Sequence, residues 1–229
     1  MLNPRGRSVE PGSFRDADKQ FAIRAPEGWV ALTRDNLQAI VSQYGSQLPA
    51  RVTQALASPN MAVSIVRIVQ PGQFAPSMNV MTVKGTPPPI NEKSKREAAK
   101  AIADGFNAML SEYQQESVEI VTVDRIRSLE ILSTSASPFR LSENEDESPS
   151  YLRYRQLLVP GKKRMFILTC TDGMDDDGSD ADFQRALDSF RVLKRPLRFS
   201  PVLNSGIIGG LMGALLYALA GLFRALGGR

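Results

Sequence analysis

Apolar residues alternate through Phe21-Ala22-Ile23-Arg24-Ala25, stop at Pro26-Glu27-Gly28 and resume at Trp29-Val30-Ala31-Leu32. That is the pattern of two short strands about a turn. From Arg34 to Ser58 the period changes: Leu37, Ile40, Val41, Tyr44, Leu48, Val52 and Leu56 recur every three or four residues, which predicts helix. Gly45 and Pro49 interrupt the run, so a broken helix or two short ones is expected. Met61 to Val69 and Ser77 to Val83 return to β-branched alternation around a Gln-Pro-Gly turn and predict two more strands.

Three prolines in a row at 87–89 make the next connection extended. Asn91 then stands where a helix cap belongs, ahead of Ala98, Ala99, Ile102, Phe106, Met109, Leu110 and Tyr113 at helical spacing. Val118 to Val123, Arg127 to Leu132, Tyr151 to Val159 and Arg164 to Thr171 read as four strands. Pro160-Gly161-Lys162-Lys163 makes the last two an antiparallel hairpin. A final amphipathic helix is predicted over Ala181 to Val192, carrying Phe183, Leu187 and Phe190 on one face. Hairpin-like links dominate, so the expected class is α+β, with helices packed on a mostly antiparallel sheet. Residues 1–18, rich in Arg, Gly, Pro and Asp without periodicity, are expected to be a flexible lead-in.

The terminal segment has a different character. Phe199 to Phe223 contains no charged residue, and Gly206 to Phe223 is almost wholly apolar. As a helix that stretch is about 27 Å long, just short of the hydrocarbon thickness of a bilayer. Gly206, Gly210, Ala214 and Ala218 fall on one stripe, with Gly209, Gly213 and Gly221 beside it. Such a smooth face lets another helix approach closely while leucine and isoleucine meet lipid. The expected organisation is a lead-in (1–18), a folded domain (19–194), a linker (195–204) and a transmembrane helix (205–225). Lys194, Arg195 and Arg198 before the apolar segment outnumber Arg224 and Arg229 after it, which places the folded domain on the cytoplasmic side of a single-pass tail anchor. Met1 to Arg7 has no apolar core of the kind an export signal needs, which agrees with that expectation.

Composition narrows the chemistry. The 229 residues contain no histidine, so the usual general base, the usual zinc ligand and the common hydrolase triads are missing together. Phosphate-cradling, dinucleotide and nucleophile-elbow motifs are also absent from the sequence. A net charge of +4 arises from 28 basic and 24 acidic residues spread along the chain, so no basic stripe points to nucleic acid. The single Cys170 lies in an apolar run and reads as a small core residue. The segment Asp172 to Asp182 offers Asp172, Asp175, Asp176, Asp177 and Asp180 as candidate Ca²⁺ ligands. It fails the EF-hand spacing: with Gly178 at the sixth position, Gly173 stands at the first and Gln184 at the last. A solvated loop whose last acids favour a helix N-terminus accounts for the same residues. Trp29, after the Pro-Glu-Gly turn, reads as a core anchor.

The motif Phe21-x-Ile23-x-x-Pro26-x-Gly28-Trp29 at the start, Asp182-Phe183-x-x-x-Leu187-x-Ser189-Phe190 at the end and the element order between them resemble the PsbP-like and DcrB-like fold group over residues 19–194. The resemblance implies an α/β/α sandwich around an antiparallel sheet, a first hairpin closed by the Pro-Glu-Gly-Trp turn, and a life spent binding or assembling other proteins. No residue is predicted to be catalytic and no cofactor is expected. The predicted function is a membrane-anchored, non-enzymatic binding or assembly module, an accessory subunit of a membrane complex whose partners are lipid and other subunits or a copy of itself. Two alternatives stand beside it: a ligand- or Ca-binding domain or enzyme with an unfamiliar carboxylate site, and a glycine-zipper oligomer forming a pore.

Overall fold

The computed structural model describes residues 12–16, 18, 20–44, 56, 58–70, 74–108, 110–137, 151–174 and 178–195. In chain order these form β1 (Ser13–Asp16), β2 (Phe21–Arg24), β3 (Trp29–Leu32), α1 (Leu37–Tyr44), β4 (Met61–Arg67), β5 (Ser77–Lys84), α2 (Glu92–Asn107), β6 (Gln114–Val123), β7 (Ile126–Ala136), β8 (Tyr151–Pro160), β9 (Arg164–Gly173), α3 (Asp180–Ser189) and β10 (Arg191–Val192). A seven-stranded sheet runs β3-β4-β5-β9-β8-β7-β6, and a smaller one runs β1-β2-β10. Every pairing among them is antiparallel.

Strand alternation sends successive side chains to opposite faces, and both faces of the large sheet are buried. Met165 and Ile167 of β9 join one core, with Ala98, Ile102 and Phe106 of α2. Phe166, Leu168 and Cys170 of the same strand join a second core, with Phe183, Ala186 and Leu187 of α3 and Phe21 and Ile23 of β2. Helices α2 and α3 therefore cover opposite faces of one sheet. On the α2 side, Ser64, Asn79, Thr169 and Gln156 stand in register across β4, β5, β9 and β8, all buried.

Local chemistry accounts for the clearest elements. Asn91 Oδ1 accepts from the amides of Lys93 at 2.9 Å and Ser94 at 3.0 Å, and Ser94 Oγ accepts from the Asn91 amide at 2.9 Å. The start of α2 is thus satisfied reciprocally. Its buried stripe, Ser94, Ala98, Ile102 and Phe106, advances four residues at a time. Helix α1 is described over Leu37–Tyr44; residues 45–55 and 57 of the predicted helical run lie outside the described residues.

Three expectations are corrected. The Pro26-to-Trp29 turn does form, with the Trp29 amide donating to Pro26 O at 3.1 Å and Gly28 at φ +77°. It closes no hairpin, because β2 pairs with β1 and β10 while β3 pairs with β4. The turn carries the chain from the small sheet to the large one. The lead-in 1–18 contains β1, whose Phe14 ring lies 5.4 Å from that of Phe21. The final helix ends at Ser189, and Arg191–Val192 become a strand against Phe21 and Ala22.

Asp124 and Arg125 join β6 to β7 with φ of 47° and 63°. Two left-handed residues make the tight turn whose twist suits a hairpin, a geometry glycine favours at its second position. Asp124 also anchors the turn, since its Oδ2 accepts from the Val192 amide at 2.9 Å and ties it to β10. Arg125→Gly is therefore expected to stabilise the fold by about 0.5–1 kcal/mol, seen as a higher urea midpoint. An unchanged or lower midpoint would show that the left-handed arginine carries no strain.

Candidate functional site: a charged cleft under helix α3

Arg153 and Arg155 lie two residues apart on β8, so their side chains leave the same face of the sheet. Across β9 they stand opposite Asp172 and Cys170. Across β7, Arg155 stands opposite Leu132 and diagonal to Glu130. Cys170 belongs to the core under α3, which identifies the face. Helix α3 brings Asp180, Phe183 and Gln184 over it, and these groups enclose a cleft of about 400 Å³.

The charges in the cleft satisfy one another. Arg155 Nε donates to Glu130 Oε1 at 2.6 Å and Nη1 donates to Gln184 Oε1 at 2.9 Å. Arg153 Nη2 donates to Asp180 Oδ1 at 3.2 Å and lies 3.7 Å from Asp172 Oδ2. Asp172 is 2% exposed. Its Oδ1 accepts from the Gly173 amide at 2.9 Å, and its Oδ2 accepts from the hydroxyl of Ser179, the residue before α3. Such pairing is what a buried carboxylate needs to stay in place.

Two of the five candidate cation ligands, Asp172 and Asp180, are among the described residues. Asp172 faces inward to protein donors, Asp180 faces Arg153, and Asp175, Asp176 and Asp177 lie outside the described residues. Asp182, the last acid of the run, accepts from Trp29 Nε1 at 3.0 Å. Trp29 is itself buried and packs edge-on against Phe183 at 5.4 Å, the core anchor its position implied. Among the described residues no group of three or more His, Cys, Asp or Glu side chains is placed to hold a metal ion.

No protein-family model matches the chain, and no curated protein does. Solved structures similar to it include a cyanobacterial PsbP from Synechocystis, at 12% identity over 83% of this chain and 99% of that one, with a TM-score of 0.46. The Ran-binding protein Mog1p of Saccharomyces cerevisiae matches at 6% identity over 80% of this chain and 95% of that one, TM-score 0.43. LpqN of Mycobacterium tuberculosis, involved in cell envelope biogenesis, matches at 12% identity over 73% and 79%, TM-score 0.38. The fold group that the terminal motifs resemble is thus represented among these structures. Likenesses this distant carry nothing about activity or partner.

Cys170 forms part of the cleft floor. Burial pushes its thiol up from the ordinary value, and the Arg155 charge nearby opposes this only in part. A thiol held neutral is a poor nucleophile. Cys170 is expected to resist iodoacetamide in the folded protein at about pH 8 and to react fully once urea unfolds it. Stoichiometric labelling of the native protein within minutes would contradict that.

Arg153, Arg155, Glu130 and Gln184 are not marked as site residues by the sequence. The signal available is Tyr151-Leu152-Arg153-Tyr154-Arg155-Gln156, alternate arginines in a strand. Such a pattern equally describes a face turned to water, and only α3, packed from far along the chain, makes it a cleft. The glycine-stripe residues Gly206, Gly209, Gly210, Gly213, Ala214, Ala218 and Gly221 lie outside the described residues. Among the described residues no helix is long and apolar enough to cross a membrane.

Proposed function

We propose that this chain is a membrane-tethered binding or assembly module without catalytic chemistry, an accessory subunit held beside a membrane complex by its terminal apolar segment. One observation carries the reading: Phe199 to Phe223 contains no charged residue, in a chain where nearly a quarter of all residues are charged. A stretch of that length and character favours lipid over water. In this reading residues 205–225 span the bilayer, 195–204 link them to the domain, and the domain faces the cytoplasm. The face formed by Gly206, Gly210, Ala214 and Ala218, flanked by Gly209, Gly213 and Gly221, packs on a helix of another subunit or of a second copy. The cleft under α3 supports the non-enzymatic part. Its arginines and carboxylates are engaged with each other, and its thiol is held neutral.

Removal of residues 200–229 tests the tether. The full chain is expected to sediment with membranes and to leave them only in detergent, whereas the truncated chain is expected in the soluble fraction. A truncated protein that stays with the membrane would end the proposal.

A further inference from the structure

The charges of the domain are sorted between the two ends of the large sheet. Lys84 at the end of β5 stands opposite Arg164 at the start of β9, and the Gly85 amide donates to Lys163 O at 3.0 Å. The hairpin between β8 and β9 and the turn at Asp124-Arg125 lie at that same end, because Leu129 of β7 stands opposite Leu158 of β8. The chain also leaves the domain there. The Lys162 amide donates to Lys194 O at 3.1 Å, and Arg195 Nη2 lies 3.5 Å from Asp124 Oδ1. The connections 124–125 and 161–163 and the exit 193–195 together carry five bases and one acid. The connections that follow β7 and β9 at their opposite ends, 137–150 and 174–179, have seven acids and one base in their sequence.

The bases at the exit end are exposed. Among the described residues, Lys84, Arg125, Lys162, Lys163 and Lys194 have no acidic partner. Asp124 is held by the Val192 amide and Arg195. Asp16 and Asp18, at the turn before Phe21, offset only part of the positive charge.

We propose that this basic end of the domain docks on the anionic headgroup surface of the membrane that holds the tether. The inference rests on the tether proposed above, and the place of the exit gives it a direction. From Arg195 the link to residue 205 is at most about 35 Å long when fully extended, so the end of the domain where it begins is kept beside the bilayer. A ten-residue strand such as β8 holds the acidic end about 33 Å further off. The field of an anionic cytoplasmic leaflet fades within about 8 Å at physiological salt. It therefore attracts the bases and hardly reaches the acids. The bases stand at the exposed tips of separate turns, an arrangement that suits a flat array of headgroups better than one small anion.

The test uses the full chain in vesicles of neutral phosphatidylcholine, or of phosphatidylcholine with about 30% phosphatidylserine, each with a nitroxide-headgroup lipid as quencher. A fluorophore is attached at Thr86→Cys, next to Gly85 at the basic end, or at Ser111→Cys, whose carbonyl meets Ala136 at the acidic end. The buried Cys170 stays unlabelled. Phosphatidylserine is expected to raise quenching at position 86 several-fold and to leave position 111 at its value in neutral vesicles. Salt at about 0.5 M is expected to abolish the rise. Lys162→Glu with Lys163→Glu is expected to lower the ratio of docked to undocked protein about tenfold or more, while Lys162→Arg with Lys163→Arg preserves it. Equal quenching at the two positions, a rise indifferent to salt, or a charge-reversed protein that docks like the parent would each overturn the proposal. Flotation with the neutral vesicles reads the tether alone. A chain that floats with them but shows no rise at position 86 keeps its tether and loses this docking surface. A chain that floats only with the phosphatidylserine vesicles, and leaves them at high salt, docks through its basic end without the tether. A chain that floats with neither loses both.

Discussion

Phe166→Ala is expected to lower the unfolding free energy by about 3–5 kcal/mol, the largest effect of any single truncation in this domain. Phe166 is fully buried on β9, between β5 and β8 in the middle of the large sheet. Its ring lies 5.7 Å from Phe21 of the small sheet and 5.7 Å from Phe190, just beyond α3. Gly161 closes over the ring from the hairpin side, so near that a β-carbon there would sit 2.6 Å from the Phe166 ring. One side chain therefore joins three separate pieces of chain, and the hole its loss leaves is walled by the large sheet and two other rings. Because such walls cannot collapse, the cavity cost adds to the lost burial. For a domain of this size the melting temperature is expected to fall by roughly 6–20 °C. Phe166→Leu, which refills most of the space, is expected to lose less than half as much. A loss below about 1 kcal/mol for the alanine variant would mean that the two sheets do not share this core.

Asp172→Ala is expected to cost about 2–4 kcal/mol, and Asp172→Asn about half of that. The alanine leaves the Gly173 amide and the Ser179 hydroxyl without their acceptor and takes the buried counter-charge from beside Arg153. Arg153 is 31% exposed and Asp180 remains beside it, so water moderates the charge term and the value stays below that of a wholly buried pair. Asparagine keeps an oxygen for the Gly173 amide but replaces the acceptor of the Ser179 hydroxyl with an NH2 group, to which the Ser179 oxygen can turn as acceptor. It loses the charge and one acceptor where alanine loses both acceptors, which sets the order of the two variants. Urea denaturation checks it. Equal stability of both variants and the parent would show that the carboxylate does not fasten the start of α3 to β9.

Phe166 and Asp172 differ in how far their neighbours in the chain foretell their surroundings. The apolar alternation in Arg164 to Thr171 is enough to make β9 a strand with a Phe166 side chain on one face. The Asn91 cap, the helical spacing of Ala98, Ile102 and Phe106 in α2 and the hairpin at Pro160 to Lys163 are equally legible, because each depends on residues within a few positions of each other. Trp29 and Cys170 fall to the core for the same reason. Asp172, judged by its neighbours alone, is one acid of a solvated loop. Its true partners are Ser179 across the connection to α3 and Arg153 on another strand, and neither is implied by local spacing.

Strand and helix, and which face of each is apolar, follow from periodicity and from the dihedral preferences of single residues, so the amino-acid order settled them. Pairing is different. β2 and β3 look like a hairpin from their own residues, yet β2 is taken by β10, about 170 positions later, because Phe21 needs Phe190 and Val192 to complete its burial. Whether alternate arginines on β8 face water or a cleft likewise depends on where α3 lands. Local conformational energies are written residue by residue, whereas burial and charge pairing are shared between segments distant in the chain and acquire a value only when the whole domain closes.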